Sequence, residues 1–315
     1  MYCLEMDAAT GKLHGESGWR STPAATFPGG GPWCTPSPSG ANLYVSVRAG
    51  EEEQLNYIAA LAVDAVSGAL QPVGKSTTVL PGSPHCSVSP DGKTLVSSMM
   101  SGGAASFAVQ QGGSLSPAAS VIKFPGGGSG VRMKPTFAAG YMLQDRCLGH
   151  SAQMMKDGKH VLVPDLGADK VWAFSIGPDS TIQPCAIPFW QARGGSGPRH
   201  MATHPNGKWM YLICEISCEI VPLRWDAAAG SIHALEPGPV STLPADWAGE
   251  VTPEAGEVLG CTTAVSAVLC AVCCVLCAVE PILCMVLVST GSCPVQMLST
   301  VHGVFGYCTG YSCGS

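Results

Sequence analysis

The chain has 315 residues, with 39 Gly, 25 Pro, only 12% charged residues and 46% hydrophobic ones. That balance excludes disorder, which needs an apolar-poor and charge-rich chain; it excludes collagen, since the glycines keep no three-residue period, and it fits long helical bundles poorly, since Gly and Pro are the weakest helix formers. A formal net charge of −6 argues against non-specific nucleic-acid binding, which rests on a basic surface, so no nucleic-acid partner is expected.

At the N-terminus, MYCLEMDAATGKL has no basic stretch followed by an apolar run. No secretory signal is read there, and the expectation is a cytoplasmic protein. Its scattered cysteines (Cys3, Cys34, Cys86, Cys147, Cys185, Cys214 and Cys218) are then reduced thiols. Cys214 and Cys218 lack a second Cys or His pair at matching spacing, so no zinc site is assigned and no metal is expected.

From residue 32 onward one pattern recurs four times: PWCTPSPSGANLYVS (32–46), PHCSVSPDGKTLVSS (84–98), GHSAQMMKDGKHVLVPD (149–165) and PRHMATHPNGKWMYLIC (198–214). Each reads as a strand, a polar turn ending in Gly, and a second, alternating apolar strand. Asp or Asn tolerates the left-handed region there and Gly supplies positive φ. The turn glycines Gly40, Gly92, Gly158 and Gly207 are separated by 52, 66 and 49 residues. A second turn motif interleaves: DAATGKL (7–13), DAVSGAL (64–70), QQGGSL (110–115) and DAAAGSI (226–232). A unit of about 50 residues with four short strands and two tight hairpins is the mark of a β-propeller blade, against the alternative of an unrelated all-β sandwich. The predicted fold is therefore all-β, a propeller of four-stranded antiparallel blades, with about five recognisable units.

The combination of H-x-x-x-x-P-[DN]-G-K-x-[LM]-[VY] with D-x-x-x-G-x-L resembles the seven-bladed propeller lactonases, the family of bacterial-type 6-phosphogluconolactonase and fungal carboxy-cis,cis-muconate cyclase. GPRHMATHPNGKWMYLICE (197–215) and GHSAQMMKDGKHVLVPDLGADKV (149–171) carry the resemblance most clearly. It runs from about Tyr2 to Pro253, so the chain is read as a propeller domain over 1–257, incomplete against seven blades, and a separate tail over 258–315.

Propeller sites gather where the inner strands begin, at one end of the central channel. The candidates there are His85, His150, Arg199 and His200, with Asp165 and Glu215 a strand away. Each has a plainer reading: a ring bonded to backbone for His85 and His150, a loop tether for Asp165, a structural salt bridge for Glu215. His204 reads as a turn residue, and Arg132, Arg146 and Arg193 as solvated surface. The resemblance implies His150, Arg199 and Glu215 as catalytic and a small anionic lactone as substrate, 6-phosphogluconolactone of the pentose-phosphate pathway first. His85, Asp165 and His200 are expected to bind substrate. A δ-lactone is an ester, so its hydrolysis passes through an oxyanion that a fixed guanidinium stabilises, while His or Glu takes a proton from water. The alternatives are a cyclase for a carboxylated muconate-type acid and a non-catalytic propeller that serves as an interaction platform. GGGSG at 126–130 lacks the Gly-Lys-Ser/Thr ending of a phosphate loop, and no cofactor is expected.

The tail differs in composition. Residues 225–315 contain no Lys or Arg, nine of the 16 cysteines lie in the last 55 residues, and 258–279 is an uncharged run. That run is long enough for a membrane helix, but it lacks flanking Lys or Arg. Three readings stand: a translated intron or shifted frame in place of the last blades, a membrane or palmitoylated anchor, and a divergent blade. A membrane partner is expected only if 258–279 is a genuine anchor. A family arginine expected beyond STLPADWAGE (241–250) has no match in the tail. A propeller left open at its edge is expected to be less stable than a closed relative.

Overall fold

The two turn motifs fold as their chemistry dictates. In a computed structural model describing residues 25, 27, 31, 33–47, 56–78, 81–130, 132–133 and 142–243, Gly40, Gly92, Gly158 and Gly207 all take the left-handed region, with φ of 71°, 73°, 65° and 70°. Each glycine N–H donates three residues back, to Ser37, Ser89, Met155 and His204 respectively, at 2.8–3.0 Å. The polar residue before the glycine braces the turn. Asp157 Oδ1 accepts the N–H groups of Lys159 and His160, and Asn206 Oδ1 accepts those of Lys208 and Trp209.

These turns join the first two strands of four antiparallel sheets. The first sheet is β1 (Trp33–Pro36), β2 (Asn42–Val47), β3 (Tyr57–Val63) and β4 (Leu70–Thr77). The second is β5 (His85–Val88), β6 (Thr94–Met99), β7 (Gly103–Val109) and β8 (Leu115–Lys123). A small hairpin, β9 (Arg132–Met133) with β10 (Met142–Leu143), precedes the third sheet: β11 (Gln153–Met154), β12 (His160–Asp165), β13 (Lys170–Ile176) and β14 (Ile182–Gln191). The fourth is β15 (Pro198–Thr203), β16 (Trp209–Cys214), β17 (Glu219–Asp226) and β18 (Ser231–Ala234), with β19 (Val240–Ser241) also pairing to β17. Within each sheet the four main strands pair in sequence order, which is the meander of a propeller blade.

The second motif joins the outer two strands. Asp64 and Asp226 each accept two backbone N–H groups across their turns, and Gly68 and Gly230 take φ of 67° and 61°. The third blade has the same hairpin without the sequence signature. There Asp179 accepts from Thr181, and Ser180 occupies the positive-φ place at 64°.

Alternation along the strands gives each blade two apolar faces. In the first, Leu43, Val45 and Val47 point to one side with Phe27, while Tyr44 points to the other. Three clusters then lie between successive blades. Tyr44, Ile58, Leu95 and Phe107 fill the first, Val96, Phe124, Trp172 and Phe174 the second, and Leu162, Val171, Leu212 and Trp225 the third. The inner strands follow one another in space, β1 beside β5, β5 beside β11, and β11 beside β15. The all-β radial architecture is thus present as four described blades. The fifth expected unit, with DAATGKL (7–13), and the tail with its 258–279 run lie outside the described residues.

Cys34, Cys86, Cys147, Cys185 and Cys214 carry free thiols. Burial pushes those of Cys86, Cys147 and Cys214 up to about 12, which leaves them protonated and unreactive. Cys218 departs from the expectation of reduced thiols, because its sulfur is disulfide-bonded.

Candidate functional site

Arg199 owes its placement to an irregularity in β15. Pro198 pairs with Cys214, but the next pair is His200 with Ile213, so Arg199 is an extra residue in the ladder. Such bulges re-aim a side chain. The guanidinium meets Glu215, which follows β16, with Nε 2.8 Å from Oε2. The contact is an ion pair rather than an aligned hydrogen bond, since the Nε–H finds no acceptor along its own axis. Glu215 is buried, and a buried carboxylate needs such a partner. Its own backbone N–H is bound to Gly197 O at 2.8 Å, which ties it to the loop that leads into β15.

Two fully buried aspartates hold the loops under this pair. Asp169 accepts Gly195 N–H and Gly197 N–H, both at 2.7 Å, and so fixes the approach to Arg199. Asp165 accepts the N–H groups of Leu148, Gly167 and Ala168 and the indole N–H of Trp172, at 2.7–3.1 Å. It therefore sets the segment that carries His150, whose own N–H binds Pro164 O at 2.9 Å. Of the two readings for Asp165, loop tether and substrate contact, these four bonds are those of a tether. Asp169 was not singled out from the sequence at all, although it closes the same VPDLGADKV stretch. Its φ of 53° is a conformation that Asp tolerates better than most residues.

Three imidazoles gather beside the ion pair. His85 and His200 lie 5.4 Å apart by ring centroid, and His150 and His200 lie 5.0 Å apart. His85 Nδ1 accepts the N–H of Ala152 in the next blade at 3.3 Å, which puts the proton of a neutral ring on Nε2. Its carbonyl accepts the hydroxyls of Ser97 and Ser98. Burial lowers the His85 pKa to about 3. His150 and His200 also sit well below their ordinary value. Burial is the main cause for both, reinforced at His150 by the Arg199 charge and at His200 by His150. All three rings are neutral at pH 7.

The indole of Trp33 completes the cluster, stacked on His85 at 4.1 Å and 5.6 Å from His200. Sequence reading passed over Trp33, although a signal was there. Trp33, His85, Ser151 and His200 each stand seven residues before a turn glycine, and so take the same place on four inner strands.

The remaining candidates lie elsewhere. His204 braces its own turn by accepting Asn206 N–H, Arg193 pairs with Glu219 at an exposed position, Arg146 is exposed, and the Arg132 side chain is outside the described residues. Among the described residues, no group of three or more His, Cys, Asp or Glu is arranged to hold a metal ion. The arrangement thus combines a fixed cation, a buried carboxylate and neutral imidazoles at the head of three blades. It can hold an anion and accept a proton beside it.

The chain is similar to known proteins in sequence and in fold. A 6-phosphogluconolactonase of Bacillus subtilis is 28% identical over 193 residues, covering 60% of this chain and 50% of its own length. One of Cronobacter sakazakii is 26% identical over 240 residues, covering 74% and 63%. The chain thus spans about half the length of the Bacillus relative. Among solved structures, a periplasmic gluconolactonase of Pseudomonas aeruginosa superposes with a TM-score of 0.63 at 24% identity, over 78% of this chain and 65% of that one. A Lactobacillus plantarum protein gives 0.63 at 23%, over 79% and 65%; at these identities both speak to the fold. The family described as lactonase, 7-bladed beta-propeller, matches residues 2–261. Repeat, blade order and family match agree, and the chain belongs to the seven-bladed β-propeller lactonases.

Proposed function

We propose that this chain serves a hydrolase that opens a sugar-acid lactone, with 6-phosphogluconolactone as the first candidate and a cytoplasmic sugar-acid pathway as its setting. The observation that carries the reading is the convergence of Arg199, Glu215 and His150 from two blades. Arg199 stabilises the oxyanion that forms when water attacks the lactone carbonyl. Glu215 holds the guanidinium in place and balances its charge. His150 is neutral and takes the proton from the attacking water. Its basicity is low because of burial and the neighbouring guanidinium. A substrate anion beside Arg199 offsets that second cause and raises it. His85 and His200 shape the same end of the site.

The test is formation of 6-phosphogluconate from freshly made 6-phosphogluconolactone, corrected for spontaneous opening. Arg199→Ala is expected to lower kcat/KM about 10²- to 10³-fold. Full activity in that variant overturns the assignment. Turnover of a carboxylated muconolactone in place of the sugar lactone would move the protein to the cyclase branch. No turnover of either substrate by the intact chain supports the interaction-platform alternative.

A further inference from the structure

We propose that Trp33 is a ligand-contacting residue of this site, its indole N–H donating a hydrogen bond to an oxygen of a bound polyhydroxylated acid. The inference rests on the lactonase reading for the class of ligand, but its own support is geometric. Trp33 stands at the place on β1 that His85 holds on β5 and His200 on β15. Its ring stacks on His85 with centroids 4.1 Å apart. Its Nε1 is buried and has no hydrogen-bond partner. A buried donor left unmade is costly, and such groups in folded proteins call for an explanation.

It is one of a set. His150 Nδ1 and Ser151 Oγ, at the head of the third blade, are also buried without partners. Orphaned polar atoms thus stand at the inner-strand heads of the first and third blades, beside the Arg199–Glu215 pair of the fourth. One flat carboxylate satisfies few of these directions, whereas a gluconate-like chain, with an oxygen on every carbon, can meet several together. Because Nε1 is shielded, the indole must turn to make its bond. Occupancy of the site is therefore coupled to a change in the surroundings of Trp33.

The test uses the full chain and 6-phosphogluconate, the stable open acid, titrated by calorimetry and by tryptophan fluorescence. The comparison is Trp33→Phe, which keeps a ring against His85 and removes the N–H. The variant is expected to melt within a few degrees of the parent, to bind about 3- to 10-fold more weakly, the worth of one hydrogen bond, and to lose most of the fluorescence change seen in the parent. Equal affinity with an unchanged fluorescence response overturns the proposal, as does a parent that fails to bind. If Trp33→Phe unfolds, a parent whose fluorescence ignores saturating 6-phosphogluconate overturns it equally. A parent that binds but does not turn over the lactone sinks the hydrolytic reading and leaves the Trp33 contact standing.

Discussion

Asp165 and Asp169 lie in one short segment, both fully buried, and both spend their oxygens on backbone N–H groups. Their work is to place other residues, His150 in one case and Arg199 in the other. Asp165→Asn swaps one acceptor for an NH2 group that must face an existing donor. It is expected to cost about 2–4 kcal/mol, read as a lower melting temperature with the four blades still formed. Arg199→Lys retains the charge but not the planar fork, so it is expected to restore little of the turnover lost in Arg199→Ala. At this scale the sequence was only partly legible. His85, His150, Arg199, His200 and Glu215 do gather, because their places are set by a count from the turn glycines. For Asp165 the sequence offers both a tether and a ligand contact, and only the coordinates show four N–H groups on its oxygens. Trp33 carries no titratable group to mark it, although the same count from a turn glycine places it.

The hairpins show why some elements could be read and one could not. Asp64 and Asp226 carry recognisable Asp-to-Gly turns, but in the third blade Ser180 fills the glycine place. Its hydroxyl meets Thr94 Oγ1 of the neighbouring blade at 2.9 Å. Two effects of similar size compete there, about 1 kcal/mol of left-handed strain and about 1 kcal/mol of hydrogen bond. Ser180→Gly removes both and also leaves Thr94 unpaired, so it is expected to cost about 1 kcal/mol less than Ser180→Ala. Ser180→Ala keeps the strain, orphans Thr94 and is expected to cost about 1–2 kcal/mol in a denaturant titration. At the inner strands the three imidazoles set a pH dependence. The unfolded chain protonates each near 6.5, whereas in the fold His85 resists until about 3 and the other two until well below their ordinary value. As pH falls below about 6.5 the unfolded state gains protons that the native state refuses. Stability therefore drops, by at most about 1.4 kcal/mol per pH unit for each histidine. Denaturant midpoints measured at pH 7 and pH 5 are expected to show this loss, and His85→Gln to reduce it.

In the molecule as a whole, blades are held to blades by side chains. Each sheet is closed within itself by backbone bonds, and the three apolar clusters lie between sheets. Polar ties cross the same seams: Asn42 Nδ2 to Gly112 O, Thr94 to Ser180, Ala152 N–H to His85, and Lys156 Nζ to Pro205 O. Leu162→Ala, in the cluster between the third and fourth blades, is expected to cost about 2–5 kcal/mol. With every described blade sharing a core with its neighbour, the loss should appear as one shifted melting transition rather than a split one. The radial arrangement was legible because the turn spacing repeats. Its one long interval, the 66 residues from Gly92 to Gly158, contains the extra β9–β10 hairpin.

The bulge at Arg199 makes the chemistry of this blade a matter of length as well as composition. A chain shortened there by a single residue would still align the hydrophobic rows of β15 and β16. It would have no surplus place from which to project a cation, and Glu215 would stay enclosed with no counter-charge. No substitution elsewhere along a regular inner strand reproduces that projection. Losing the guanidinium by deletion is therefore expected to be harder to repair, in evolution or by design, than losing it by replacement.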